Sequence, residues 1–165
     1  MLTSKDSNIR ISSAEVEAID PERKRQAIAL PDGGYFATLT VFHELHCLKR
    51  LHRYMYPSYY FPDLSDQERE DNRYHNEHCI DMLRQSVMCH GDITPVTMRW
   101  GRTQKIPLGN FSSPHECVNW AGLNGWARER SVKEIMEPGY LKHPKFGVVI
   151  DENFENKIGQ VHDGR

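Results

Sequence analysis

His43-Glu44-Leu45-His46-Cys47 and His75-Asn76-Glu77-His78-Cys79 are two copies of one frame, His-x-x-His-Cys. Each copy lies in a stretch that reads as a long helix. Residues three and four apart share a helix face. His43, His46 and Cys47 therefore lie on one side of the first helix, and His75, His78 and Cys79 on one side of the second. Two such faces packed together gather four imidazoles and two thiols, a donor set suited to a metal ion. The same reading makes the protein mainly α. It predicts a single helical domain over residues 1–165, with two long motif-bearing helices, a third C-terminal helix and long ordered loops. The loop between the motif helices allows them to pack antiparallel.

Punctuation around the motifs sets the expected boundaries. Pro31-Asp32-Gly33-Gly34 is a turn signal. After it, Tyr35, Leu39, Phe42, His46 and Lys49 fall on one stripe, with Val41, Leu45, Leu48 and Leu51 beside it. This predicts a helix from about 35 to about 54, closed by Pro57. Residues 58–62 form an aromatic loop. Ser65 followed by Glu68 is a capping-box signature, and Gly91 marks the end of the next helix. At roughly 1.5 Å per residue, its 25 or so residues span on the order of 37 Å. Its inward face carries His75, His78, Cys79, Met82, Leu83, Ser86 and Cys89. Residues 92–111 read as an ordered loop. Ser113-Pro114-His115-Glu116 caps a third helix running to about 130. A short capped helix is expected over 14–19 and a strand over 146–150. Residues 1–8 and about 153–165 are expected to be flexible.

Bulk composition narrows the partners. A chain of 165 residues suffices for one domain with a real core. The net charge of −2, from 21 basic and 23 acidic side chains, gives no electrostatic reason for a nucleic-acid partner. No apolar run is long enough for a membrane span, and no signal peptide is evident.

The spacing excludes two familiar metal patterns. His43-Glu44-Leu45-His46 is one residue short of the zinc-protease pattern, so Glu44 is not a metalloprotease base. Carboxylate-bridged di-iron sites use Glu-x-x-His, whereas both frames here begin with His. The site is nitrogen-rich and suits copper, zinc, iron or nickel. The thiols have two readings. Reduced, Cys47 and Cys79 are ligands of a structural zinc site; oxidised, all four cysteines are disulfide candidates and leave the histidines as the metal set. Cys79 and Cys89 lie about 15 Å apart on one helix, beyond disulfide reach. The remaining pairings are Cys47 with Cys79 plus Cys89 with Cys117, or Cys47 with Cys89 plus Cys79 with Cys117. His115, in the first turn of the expected third helix, is a candidate fifth ligand or substrate contact. Trp100 is a candidate wall of a substrate pocket. His52, His90, His143 and His162 read as surface residues.

These residues also carry a resemblance. Gly33-Gly34-Tyr35, Val41 through Leu48, His75 through Ser86, Met88 through Pro95 with Trp100, Phe111 through Trp120 and Trp126 through Arg130 are similar to the UstYa-like proteins of fungal natural-product gene clusters. The similarity runs from about 9 to about 132. It implies a copper-dependent oxidase that uses O2 to tailor a secondary metabolite, by oxidative cyclisation, hydroxylation, desaturation or halogenation. The implied essential residues are His43, His46, Cys47, His75, His78 and Cys79. The four histidines would serve as the metal and catalytic set. Iron and zinc are the alternative metals. A small-molecule or peptide natural product is the implied substrate, with room for assembly with itself or a related family member. Family members usually carry an N-terminal transmembrane helix and face the secretory-pathway lumen. This sequence shows none, so it is either a trimmed membrane-anchored protein or a soluble member. Two other readings stand beside the oxidase: a non-catalytic module with a structural His/Cys zinc site, and a redox-neutral cyclase using the histidines as acids and bases.

Overall fold

The computed structural model describes residues 7–151. In chain order its elements are β1 (Ile9–Ile11), α1 (Ser13–Ile19), β2 (Tyr35–Ala37), α2 (Thr40–Tyr54), α3 (Pro57–Tyr60), α4 (Asp66–His90), β3 (Thr97–Trp100), β4 (Pro107–Asn110), α5 (Trp120–Glu129), β5 (Lys142–His143) and β6 (Gly147–Val148). Single 3-10 turns at Arg23–Arg25 and Lys133–Met136 complete the set. The mainly α expectation holds.

Local chemistry explains the long element. The Ser65 hydroxyl accepts from the Glu68 N–H at 3.3 Å, and the Glu68 carboxylate accepts from the Ser65 N–H at 2.8 Å. Two donors that a helix start leaves open are thus satisfied. At the other end Gly91 takes φ +46°, a left-handed value that favours glycine, and its N–H donates to the Val87 carbonyl. The Ser12–Glu15 box starts α1 in the same way.

Several expected boundaries move. The helix expected from 35 begins at Thr40, because Tyr35–Ala37 instead pairs antiparallel with Ile9–Ile11. Gly33 and Gly34, with φ of +96° and +75°, turn the chain into that strand. The aromatic loop holds a short helix, with Pro57 at its first position. The expected loop over 92–111 contains a hairpin, in which Thr97 opposes Asn110 and Trp100 opposes Pro107. The third helix does not start at Ser113. Residues 112–119 are irregular, and α5 is capped by Asn119, whose side chain accepts from the Gly122 N–H at 3.0 Å. Of the strand expected over 146–150, only Gly147–Val148 pairs, with Lys142–His143. Residues 1–6 and 152–165 lie outside the described residues, and so does most of both end segments expected to be flexible. Asn8 is held by the Val132 N–H at 2.9 Å.

Apolar packing fixes the start of α2. Phe42 forms a buried cluster with Ile9 of β1 and Ala127 of α5, and Trp120 meets the Phe42 ring edge-on at 6.1 Å. A second cluster joins Leu30, Val132 and Ile135. From there α2 runs against α4. His43 pairs with His78 and His46 with His75, so the helices are antiparallel, as expected. Among the described residues no helix is long and apolar enough to cross a membrane.

The turn before β2 is tied down by charge. Arg10 donates to Asp32 at 2.6 Å and to the Gly33 carbonyl, and the Tyr140 hydroxyl donates to Asp32 at 2.7 Å. Arg10 first, then Tyr140, hold the Asp32 carboxyl down at about 2. A depressed carboxyl adds stability above its ordinary value, near 4, and loses it as pH falls through the folded value. Asp32→Asn should therefore lower the melting temperature by a few degrees at most at pH 7. The gap between variant and parent should close as pH falls from about 4 towards 2. Thermal melts across that range check it, and a gap that does not change with pH contradicts it.

Candidate metal centre

The histidines expected to meet do meet. The His43 and His78 rings lie 5.7 Å apart between centroids, His46 and His75 5.8 Å, and His43 and His46 6.1 Å. The spacing follows from helix geometry: residues three apart on α2 face residues three apart on the antiparallel α4. Burial is graded across the cluster. His75 is buried and His43 half-buried, while His46 and His78 open to solvent. The two more buried rings belong to different cross-helix pairs, so each pair keeps one exposed ring.

Two of these imidazoles are pushed towards the neutral form. His46 is pushed down to about 4, first by desolvation in the helix interface, then by His75, His43, Arg50 and Lys49. His43 is pushed down by desolvation and by His78, against a smaller upward pull from Glu44. A neutral imidazole offers the lone pair a metal needs. Among the described residues no three His, Cys, Asp or Glu side chains stand oriented to close on one ion. The donor set fits a metal by its chemistry and its grouping.

The thiols lie behind the rings. Cys47 and Cys79 are both fully buried, and Cys47 Sγ is 4.0 Å from each ring nitrogen of His43. Burial, then a hydrogen bond with Cys79, push the Cys47 thiol up to about 12. The pair meets because side chains on a helix lean towards its N-terminus, and on antiparallel helices the two lean towards each other. All four cysteines are free thiols, with Cys89 and Cys117 exposed. Cys89 therefore sits outside the inward face expected of α4.

His115 and Trp100 lie elsewhere. His115 Nδ1 is 2.6 Å from Asp92 Oδ2, just beyond the foot of α4. His78 lies twelve residues before the last residue of that helix, on the order of 18 Å along its axis. His115 is thus held apart from the imidazole cluster. Thr94 and His115 hold the Asp92 carboxyl at about 2. Trp100 stands 74 % exposed on β3. Concavities of about 600 and 500 Å³ lie along β1 and α1, lined by residues such as Ile11, Val16, Phe36 and Arg130.

The sequence reading missed a buried polar seam one turn away. Arg50 Nη2 donates to Asn72 Oδ1 across the helices, and Asn76 Nδ2 donates to the Asn72 carbonyl at 2.6 Å. The Arg50 guanidinium also packs 5.5 Å from the Phe61 ring centroid. The available signal was position: Arg50 follows His46 by four residues, and Asn72 precedes His75 by three.

Residues 2–130 match the family model described as mycotoxin biosynthesis protein UstYa. The chain is 32 % identical over 105 residues to the UstYa family oxidase phomYd of Diaporthe leptostromiformis, covering 60 % of this chain and 32 % of that protein. It is 33 % identical over 120 residues to the hydroxylase cctR of Talaromyces islandicus, covering 73 % and 40 %. It is 31 % identical over 124 residues to the transacylase cctO of the same organism, covering 70 % and 41 %. The chain thus spans about a third to two-fifths of the length of these relatives. No solved structure matches it. Both His-x-x-His-Cys frames fall within the matched residues, and the chain belongs to the UstYa family.

Proposed function

We propose that this chain is the metal-binding core of a copper- and O2-dependent oxidase that tailors a fungal natural product, a small molecule or a peptide. The observation that carries the reading is the grouping of His43, His46, His75 and His78 from two antiparallel helices, with His43 and His46 pushed towards the neutral form by partial desolvation and neighbouring imidazoles. Relatives named as oxidases and a hydroxylase support the reaction class. Bound copper would supply the one-electron chemistry with dioxygen that protein side chains lack. The chain's own part is placement. α2 and α4 fix the four rings, burial of His75 and partial burial of His43 limit water there, and the exposed His46 and His78 rings keep the cluster accessible to substrate. Iron fits the same nitrogen-rich set less tightly than copper.

We assign Cys47 and Cys79 to a disulfide that staples α2 to α4, formed as two thiols lose two electrons and two protons to an oxidant such as a low-molecular-weight disulfide. The second reading, a structural zinc site with thiolate ligands, is favoured by one observation: these thiols adjoin each other beside His43. The two readings part on thiol state.

His43→Ala or His78→Ala should weaken copper binding at least tenfold without unfolding the chain, because neither ring belongs to the apolar core. Metal analysis with circular dichroism checks this. Full copper loading after all four histidines are replaced would falsify the reading. Protein made in an oxidising compartment should show no more than two of its four cysteines as thiols when denatured without reductant. Four thiols together with stoichiometric zinc, and unfolding by a chelator, would instead establish the zinc site.

A further inference from the structure

Arg50 leaves α2 on the same side as His46, one turn further along. It is 6 % exposed. Asn72 accepts from its Nη2, and the Phe61 ring covers the guanidinium. Among the described residues no carboxylate pairs with it, and the titratable groups acting on it are Cys79, Arg53 and Cys47. Its Nε is buried without a hydrogen-bond partner, as is Asn76 Oδ1 nearby on α4. A buried cation without a counter-charge is costly, and an apolar side chain of similar length would seal the interface at less cost. Packing alone therefore gives no reason for an arginine here.

The charge lies close to the imidazoles. Arg50 follows His46 by four residues on α2, so the two share a face one turn apart. Glu44, whose Oε1 is buried and unpartnered, adjoins His43 at the far end of the motif. Arg50 is thus the buried cation next in line to the cluster on α2.

We infer that Arg50 is an electrostatic positioning residue of the centre: held by Asn72 and Phe61 behind His46, its fixed positive charge favours the lower-charged, cuprous state of bound copper over the cupric state. This rests on the copper reading above. A unit charge about one turn away, in a medium of effective permittivity near 20, shifts the balance between ions differing by one charge on the order of a hundredfold. The consequence for an oxidase is a centre that is readily reduced and kept ready for dioxygen.

The test compares cuprous and cupric affinities by chelator competition in the whole chain and in three variants. Arg50→Lys keeps the charge and should hold the ratio within about threefold of the parent. Arg50→Gln removes it and should move the ratio towards cupric on the order of a hundredfold. Asn72→Asp keeps the shape and the acceptor while adding a neutralising carboxylate. It should shift the ratio the same way, and it decides the matter if Arg50→Gln does not fold. An unmoved ratio in Asn72→Asp, or equal losses of both affinities, overturns the inference while leaving the copper reading intact. Failure of the unaltered chain to bind copper in either state overturns the copper reading, and this inference with it.

Discussion

The antiparallel seam between α2 and α4 is where the demands on this chain meet, because four imidazoles separated in sequence become neighbours only if these two helices hold one register. Cross-helix ring pairs fix that register at His43–His78 and His46–His75. Two fully buried sulfurs lie behind them, and the Arg50–Asn72 bond locks the next turn. A slip of one residue would rotate each histidine by roughly 100° off the shared face. The small apolar clusters do a different job. Ile9, Phe42 and Ala127 anchor the start of α2, so the helix enters the seam at a set angle.

The seam is unusual in what it buries. Typical helix interfaces are closed by leucine and valine, yet Leu45 and Leu48 of α2 point outward here. The interface instead holds Cys47, Arg50, Asn72, His75, Asn76 and Cys79. Buried polar groups tolerate few alternative partners, so such a seam specifies one geometry at a cost in stability. That trade suits a site in which ring placement matters more than maximal stability. The orphaned Arg50 Nε, Asn76 Oδ1 and Glu44 Oε1 mark where the cost is concentrated.

The sequence is most legible where local chemistry acts alone. The Ser65–Glu68 box and Gly91 bounded α4 because capping depends on residues within one turn. The helix-facing histidines were legible because a three-residue spacing has one geometric meaning on a helix. Tertiary pairing overrode the rest. Tyr35–Ala37 has a helical pattern but is captured by Ile9–Ile11, some twenty-five residues upstream. Ser113 and Glu116 spell a capping box, yet Asp92 holds His115 and the helix waits for Asn119. Arg50, Asn72 and Asn76 looked like ordinary solvated residues, since polarity along one helix does not reveal which residues a second helix will cover.

The central claim is that four imidazoles, without the adjacent sulfurs, form the ligand set. X-ray absorption at the copper edge of the loaded protein tests it most directly. Ligation by four imidazoles predicts a first shell of nitrogen scatterers with the multiple-scattering signature of several imidazoles, and no sulfur. A sulfur scatterer in the first shell, or a shell lacking the imidazole signature, would contradict it.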